Sequence, residues 1–311
     1  MKKALILGSE GQDGTLLKAS LLSHEYKVFG IGKSANLKQD ESYFQCDLAG
    51  DDFSILVNII REHLPDHIYY LAAYHHSSQD NLASLDSNSV SLSFKVNLSS
   101  FVTVLEIVRM FSPATRVFYA SSSLIFSTSG TVVQDELTEH KPNCFYSLSK
   151  SAVMNAGKMY RENHGLFVSA GILYNHESIL RSSGFLSMKI INETHKLLKG
   201  ETKQIIVGDL SSETDWGYAP DYVEAFFSIL QAESPGDFIV ASGKAHKVQD
   251  WFDVLFTYLK LDWKKYVVVD KSLIKRKKPV LIGNNAKLMA LGWRPRVSFE
   301  EMVIKLYNGK I

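Results

Sequence analysis

The chain has 311 residues, the length of two ordinary domains or of one large domain with an added lobe. Its 34 Lys and Arg residues against 33 Asp and Glu residues give a formal net charge of +1, which offers no global attraction for nucleic acid or for an anionic membrane. Hydrophobic residues at 45% and charged residues at 22% exclude a disordered or fibrous protein.

The cysteines and the apolar runs indicate the compartment. Cys46 and Cys144 are too few for a disulfide scaffold. The first apolar run ends at Leu7 and is too short for a signal peptide. The longest charge-free run, Val117 to Gln134, is too rich in Ser and Thr for a spanning helix. We therefore expect a cytoplasmic protein with no membrane and no nucleic-acid partner.

Short apolar segments alternate with amphipathic ones along the first part of the chain. The predicted strands are Lys3 to Leu7, Lys27 to Ile31, Tyr43 to Cys46, His67 to Ala72, Arg116 to Ala120, Leu166 to Leu173 and Asp237 to Ala241. The predicted helices are Thr15 to His24, Ser54 to Leu64, Ser91 to Met110 and Ser149 to His164. This alternation predicts an α/β fold with a doubly wound, Rossmann-like parallel sheet and a smaller C-terminal substrate lobe. We expect a dinucleotide-binding domain at 1–173 plus about 207–243, and the substrate lobe at about 174–206 plus 244–311.

Gly8, Gly11 and Gly14 lie three residues apart between the first predicted strand and the first helix. Small residues there let the backbone approach a pyrophosphate, whose charge the helix N-terminus stabilises. The spacing predicts a dinucleotide cofactor, and a tight turn with no ligand is the alternative.

The second predicted strand is followed by Gly32, Lys33 and Ser34, without the carboxylate that accepts the ribose hydroxyls of NAD. Lys33 can instead pair with a 2′-phosphate, which favours NADP, with NAD possible. Glu10 in the glycine loop opposes this preference, because it can repel that phosphate or hold a ribose hydroxyl. An exposed lysine with no ligand is the plain alternative.

Ser122, Tyr146 and Lys150 form the strongest catalytic pattern. A tyrosine four residues before a lysine stands on the same face of a helix, so the ammonium can lower the pKa of the phenol and let it exchange protons with an alcohol or ketone. Ser122, at the end of a strand, can hydrogen-bond the same substrate oxygen.

Together these patterns resemble the extended short-chain dehydrogenases/reductases, and within them the GDP-mannose 4,6-dehydratase family. The matching strings are 8–14 (GSEGQDG), 71–73 (LAA), 171–178 (GILYNHES), 215–217 (DWG), 221–225 (DYVEA) and 291–295 (LGWRP). The resemblance implies that Gln12 and Asp13 join the cofactor loop. It also implies that Asp47 and Leu48 flank the adenine, that Ala72 meets the cofactor, and that Asn175, Arg181 and Lys189 hold the substrate. A homodimer or higher homo-oligomer is implied as well.

One departure from the family bears directly on the chemistry. The family's active-site strand reads Ser-Thr-Ser-Glu, whereas residues 121–124 read Ser-Ser-Ser-Leu, so Leu124 replaces the catalytic glutamate. A dehydratase needs an acid/base group to take the proton from C5 and help water leave from C6, which leucine cannot do. Glu177 is a carboxylate nearby in sequence, but its family counterpart coexists with that glutamate, so we do not assign it the lost role.

Three functions stay open. The first is an NADP-dependent oxidoreductase that moves a hydride at C4 of a nucleotide-linked hexose, GDP-linked by resemblance, as a ketoreductase, dehydrogenase or epimerase. The second is a 4,6-dehydratase with its acid supplied from elsewhere, which Leu124 opposes. The third is a non-catalytic, cofactor-binding regulator, which Tyr146 and Lys150 oppose. No metal is expected, because His75 and His76 have no third ligand at suitable spacing, and the basic run 275–278 is expected to be solvated.

Overall fold

The computed structural model describes residues 1–35, 42–74, 87–127, 130, 132–274 and 279–311. The strands in this part of the chain are β1 (Lys3–Leu7), β2 (Lys27–Gly32), β3 (Tyr43–Gln45), β4 (His67–Tyr70), β5 (Arg116–Ser122), β6 (Val133–Gln134), β7 (Val168–Leu173), β8 (Asn175–Glu177), β9 (Ile205–Val207), β10 (Glu213–Tyr218), β11 (Asp237–Val240), β12 (Ala245–Lys247), β13 (Val267–Val269) and β14 (Ile282–Gly283). The α-helices are α1 (Gln12–Ser23), α2 (Ser54–His63), α3 (Ser87–Phe94), α4 (Ser100–Phe111), α5 (Phe145–His164), α6 (Leu186–Leu198), α7 (Ala219–Gln231), α8 (Val248–Tyr258), α9 (Ala286–Ala290) and α10 (Phe299–Tyr307).

Seven strands form one parallel sheet in the order β11-β7-β5-β4-β1-β2-β3. Each corresponds to one of the seven strands predicted from the sequence. The chain starts in the interior of the sheet at β1 and builds outward in both directions, which is the doubly wound arrangement. The predicted α/β fold with a Rossmann-like parallel sheet is therefore confirmed.

Helices cover both faces of this sheet because the sheet strands are apolar on both sides. Buried side chains of α2, α4 and α5 pack on one face, and those of α1 and α7 pack on the other. The carboxyl ends of the strands all lie at the same edge, so the loops after β1, β4, β5 and β7 meet there.

A third hydrophobic core lies outside the sheet. It joins α6, α8 and α10 to β9 and β10, with the rings of Trp216, Trp251 and Phe299 packed together. A three-stranded sheet of the order β12-β10-β8 connects this core to the end of β7. Strands of three to six residues with mixed pairing explain why the strand–helix alternation of the sequence becomes weaker after Leu173.

The predicted helix from Ser91 to Met110 is interrupted in the structure. Between α3 and α4, the segment Lys95–Ser99 forms a π-helical turn. Such turns are rare and occur often at functional sites. The continuous helical stretch Ser87–Phe111 also has the length and apolar composition of a membrane span, a test that core helices pass too, and here it packs against α2 and α5.

The predicted helix from Ser149 begins earlier, at Phe145, and so includes the tyrosine of the catalytic pattern. Cys144 and Ser147 cap each other at its start. Gly165 ends it in the left-handed region, at φ +64°. Tyr146 and Lys150 therefore stand one turn apart on a rigid helix.

Candidate active site

Ser122, Tyr146 and Lys150 come together at the carboxyl edge of the sheet, and we call them the reaction cluster. Ser122 is the last residue of β5 and shares a hydrogen bond with Tyr146, which stands in the first turn of α5. The Lys150 Nζ atom lies 5.7 Å from the centroid of the Tyr146 ring and donates to the carbonyl oxygen of Ala120 at 2.7 Å. The three side chains predicted from the sequence are thus neighbours in space.

The pKa values in the reaction cluster differ from the sequence expectation. Burial raises the pKa of Tyr146 to about 12, although the hydrogen bond with Ser122 lowers it. Lys150 is only 1% exposed, and burial lowers its pKa to about 7. The expected lowering of the phenol pKa by Lys150 is therefore not seen, because the ammonium is directed at a carbonyl oxygen and is itself destabilised by burial.

Asn97 is a site residue that the sequence analysis did not identify. It lies in the π-helical turn and is fully buried. Its amide oxygen accepts from the backbone N–H of Tyr74, and its amide nitrogen donates to the backbone oxygen of Tyr74 and to Ser149 Oγ. Asn97 thereby fixes the loop after β4 to the start of α5, next to the reaction cluster. The apolar periodicity of the segment predicts one continuous helix, so the sequence does not reveal the π-helical turn that contains Asn97.

Leu124 stands beside the reaction cluster, in the 3-10 helix Ser123–Phe126 that follows β5. Its backbone N–H donates to Ser122 Oγ at 3.3 Å. The backbone of this position thus supports Ser122, while the side chain offers no group that can accept or donate a proton.

The glycine loop contains one glycine that the protein's own packing does not require. Gly8 adopts φ +88° and, like Gly14, has no room for a Cβ atom, since backbone atoms of Ala72 and of Gly8 respectively lie in the way. Gly11 has ordinary backbone angles, and a Cβ there would lie 3.5 Å from its nearest neighbour, the Gly8 oxygen. Gly11 is the N-cap residue of α1 and, having no side chain, does not cap the free N–H groups at the start of this helix.

The end of β2 carries three charged side chains from three different segments. Lys33 Nζ lies 3.1 Å from Asp47 Oδ1, and both side chains are mostly exposed. The Glu10 carboxylate accepts the backbone N–H groups of Lys33 and Ser34 at 2.7 and 3.2 Å. Leu48 is buried beside them in the core under the sheet. The lysine that favoured NADP is therefore already paired with one carboxylate and lies next to a second one.

Gln12, Asp13, His176 and Ser178 form a second polar group, which we call the joint cluster. His176 Nε2 lies 3.0 Å from the Asp13 carboxylate, and its Nδ1 donates to the Tyr174 oxygen at 2.7 Å. The Gln12 amide donates to the His176 backbone oxygen and accepts from Ser178 Oγ. The side chains of Gln12 and Asp13 thus join the glycine loop to β8, which leaves their backbone N–H groups as the part that can meet a phosphate.

Both ring nitrogens of His176 lie next to oxygen atoms that can accept a hydrogen bond. A histidine donates from both nitrogens only in its protonated form. Burial by itself lowers the pKa of His176, but the charge and hydrogen bond of Asp13 outweigh it, so the pKa is raised. Burial likewise raises the pKa of Asp13, and His176 more than reverses this effect. The folded structure therefore favours the charged forms of both groups. Strings 8–14 and 171–178 are separate patterns in the sequence, and only the folded structure shows that they bond to each other.

The predicted substrate residues lie just beyond β7. The Asn175 side chain is exposed, and Lys189 is half-buried in the first turn of α6. The Arg181 guanidinium stacks on Phe185 at 3.7 Å and lies 3.5 Å from Glu177. Glu177 is buried, accepts Ser187 Oγ at 2.6 Å, and has its pKa raised by burial.

Two other matched strings hold the chain together. The Asp215 carboxylate accepts four hydrogen bonds from Ser242, Gly243 and Gly283. Asp221 accepts the backbone N–H groups of residues 296 and 297, and its backbone oxygen accepts from Trp293. Asp215 and Asp221 therefore stabilise the fold by joining segments that are distant in sequence.

Some sequence expectations concern residues outside the described part of the chain. His75 and His76, the basic run 275–278 and the segment 36–41 belong to this group. Within the described ranges, no cluster of three or more His, Cys, Asp or Glu side chains could hold a metal ion.

Comparisons with known proteins give the family. Residues 5–306 match the family model described as GDP-mannose 4,6 dehydratase. GDP-mannose 4,6 dehydratase 2 of Arabidopsis thaliana is 34% identical over 331 residues, which cover 97% of this chain and 85% of the relative.

Solved structures share the fold at lower identity. UDP-glucose 4-epimerase of Thermus thermophilus, in complex with NAD, superposes with a TM-score of 0.80 at 22% identity and covers 99% of this chain and 98% of its own. RMD from Pseudomonas aeruginosa, complexed with NADPH, has a TM-score of 0.77 at 16% identity and covers 99% of both chains. At these identities the likeness concerns the fold.

Proposed function

The chain belongs to the GDP-mannose 4,6-dehydratase family, and we propose that it transfers a hydride between a nicotinamide cofactor and C4 of a nucleotide-linked hexose or its 4-keto derivative. It is an enzyme of the nucleotide-sugar dehydratase and epimerase class. The observation that supports the proposal is the contrast between the complete reaction cluster and the apolar side chain of Leu124.

The reaction cluster supplies the proton that accompanies the hydride. A bound nicotinamide supplies or accepts the hydride itself. Tyr146 gives a proton to O4 when a ketone is reduced, or takes it when an alcohol is oxidised. Ser122 orients O4 through its hydroxyl. Lys150 would hold the nicotinamide ribose.

The cofactor and substrate contacts are part of the same proposal. Gly8, Gly11 and Gly14, with the backbone of Gln12 and Asp13, would hold the pyrophosphate, and Ala72 would lie against the adjoining ribose. Asp47 and Leu48 would flank the adenine. Asn175 and Lys189 would bind the nucleotide-sugar phosphates, and Arg181 would also contact the substrate. The NADP expectation depends on Lys33, which is already paired with Asp47.

The organisation that the sequence suggests is also proposed. We assign 1–173 plus about 207–243 to cofactor binding and about 174–206 plus 244–311 to substrate binding. Self-association as at least a homodimer would use α4 and α5, which expose apolar side chains such as Met110 and Met159. A cytoplasmic location remains a prediction.

A 4,6-dehydratase is the second candidate, favoured by 34% identity over nearly the whole chain to a relative of that name. Its first step would be the same hydride transfer at C4. Its second step, loss of water across C5 and C6, needs an acid/base group where Leu124 stands.

Product analysis separates the two candidates. The purified protein is incubated with GDP-mannose and, separately, with its 4-keto-6-deoxy product, each with oxidised and reduced NAD and NADP. A ketoreductase or dehydrogenase changes nicotinamide absorbance in proportion to product, whereas an epimerase gives a product of unchanged mass with no net change in the cofactor. Conversion of GDP-mannose to a product lighter by one water, with no net change in the cofactor, would establish the lyase and overturn the argument from Leu124. Leu124→Glu is the matched variant, in which we expect some dehydratase activity to arise.

A further inference from the structure

The Glu10 side chain reaches from the glycine loop to the end of β2, through contacts that the sequence alone does not show. The backbone N–H groups of Gly8 and Ser9 both donate to the Ile31 oxygen, which anchors the loop to the carboxyl end of β2. From there the Glu10 side chain crosses Gly32 and accepts the backbone N–H groups of Lys33 and Ser34. A Cβ atom on Gly32 would overlap the Glu10 carboxylate, so the glycine provides the space that this carboxylate occupies.

This position is where a doubly wound fold distinguishes its dinucleotides. The adenosine ribose of such folds meets the carboxyl end of β2, where a carboxylate accepts the 2′-hydroxyl of NAD or a cation accepts the 2′-phosphate of NADP. β2 itself ends in Gly32 and contributes no acid. Glu10 brings a carboxylate to the same edge from a different segment. A carboxylate has about four acceptor positions, so the backbone N–H groups leave some for ribose hydroxyls.

The nearby charges act in the same direction. Asp47 is held by the Ala49 N–H at 2.9 Å and pairs with Lys33, and these contacts lower the pKa of Asp47. Glu10, Lys33 and Asp47 therefore carry one negative charge in sum. A 2′-phosphate would have to displace Glu10 from two N–H groups, withdraw Lys33 from Asp47 and approach two carboxylates.

We propose that the Glu10 carboxylate makes this protein select NAD over NADP by accepting the ribose hydroxyls and repelling a 2′-phosphate. This deepens the proposed function, on which it rests, and reverses the preference read from Lys33 in the sequence. Lys33 serves instead to hold Asp47 at the rim of the adenosine site.

Calorimetric titration of the full chain with NAD and with NADP tests the proposal without any substrate. We expect NAD to bind at least tenfold more tightly. Glu10→Gln keeps the shape of the side chain and removes its charge, so it should reduce the NAD-to-NADP affinity ratio at least fivefold. Asp47→Asn releases Lys33 and should tighten NADP more than NAD. Glu233→Gln, an exposed carboxylate before β11 at the opposite edge of the sheet, is the control and should leave the ratio unchanged.

Two results would overturn the proposal while leaving hydride transfer intact: equal or tighter binding of NADP by the unmutated protein, or an affinity ratio that Glu10→Gln does not change. Binding of neither dinucleotide would count against both the proposal and the proposed function.

Discussion

The reaction cluster and the joint cluster lie at the same edge of the sheet but relate differently to stability. In the reaction cluster, a lysine is buried with its pKa lowered to about 7, which means that the fold disfavours its charge. In the joint cluster, Asp13 and His176 shift each other's pKa toward the ionised forms, which means that the fold favours their charges. The first cluster is arranged for a reaction at some cost in stability, whereas the second fixes the cofactor loop to β8. Substitutions in the reaction cluster should therefore reduce activity without reducing stability, whereas substitutions in the joint cluster should reduce stability.

The largest expected effect is on turnover, through Tyr146→Phe. Without the hydroxyl no group gives a proton to O4, so we expect the rate of hydride transfer to fall by about 10² to 10⁴. Cofactor affinity and melting temperature should stay close to those of the unmutated protein. The measurement is steady-state turnover together with calorimetric cofactor binding.

Tyr160→Phe is the matched control for that change, because Tyr160 lies on the same helix and its hydroxyl donates to Glu106 at 2.6 Å, away from the site. Its rate should remain within about threefold. Full activity of Tyr146→Phe, or an equal loss in Tyr160→Phe, would remove Tyr146 from the proposed role.

The next effect concerns cofactor binding at Gly11. Its backbone angles suit any residue and a Cβ fits beside Gly8, so Gly11→Ala should fold normally. A methyl group there would occupy space that the pyrophosphate needs, and we expect at least a tenfold loss of affinity, about 1.4 kcal/mol, in Gly11→Ala. Gly11→Val should abolish measurable binding.

Gly236→Ala, at the opposite edge of the sheet, serves as the control for the glycine substitution, since its nearest neighbour is the flexible end of Lys287. Its cofactor affinity should not change. Unaltered binding in a folded Gly11→Val protein would move the pyrophosphate site elsewhere.

The sequence predicted the large sheet better than the site. All seven strands of that sheet are short apolar runs, and burial on both faces is a property that residue type alone reveals. Ser122, Tyr146 and Lys150 were also found, because an i,i+4 pair after a strand is a local pattern. The contacts of Glu10, Asn97 and His176 could not be predicted, since each joins segments that are distant in sequence and depends on the order of the strands.

Lys150→Met should raise the stability of the protein and abolish its activity. Replacing a buried charge by an apolar side chain of similar length should stabilise the protein by about 2 kcal/mol while turnover is lost. The pKa of Lys150 is lowered by folding, so its proton is bound in both states below pH 7 and only in the unfolded state between about pH 7 and its usual value. The cost of burying the charge is therefore largest below pH 7 and declines as the pH rises. Melting curves should show a larger gain at pH 6 than at pH 9, and a loss of stability at pH 6 would contradict this account.

The smallest expected effect, about 1 kcal/mol, is the loss of stability in His176→Asn, which tests the joint cluster. The folded-state pKa of His176 is raised above its ordinary value of 6.5, so its contribution is fully present below pH 6.5 and is lost as the pH rises through the higher folded-state value. The difference in melting temperature from the unmutated protein should accordingly be larger at pH 6 than at pH 9.

His24→Asn is the control: it removes a partly exposed histidine, 3.3 Å from Glu224, and should cost less at either pH because exposed ion pairs contribute little. Equal losses at both sites would mean that the joint cluster is no more than a surface pair. A pH-independent loss at His176 would mean that packing against Tyr222, and not the charge of Asp13, holds the glycine loop to β8.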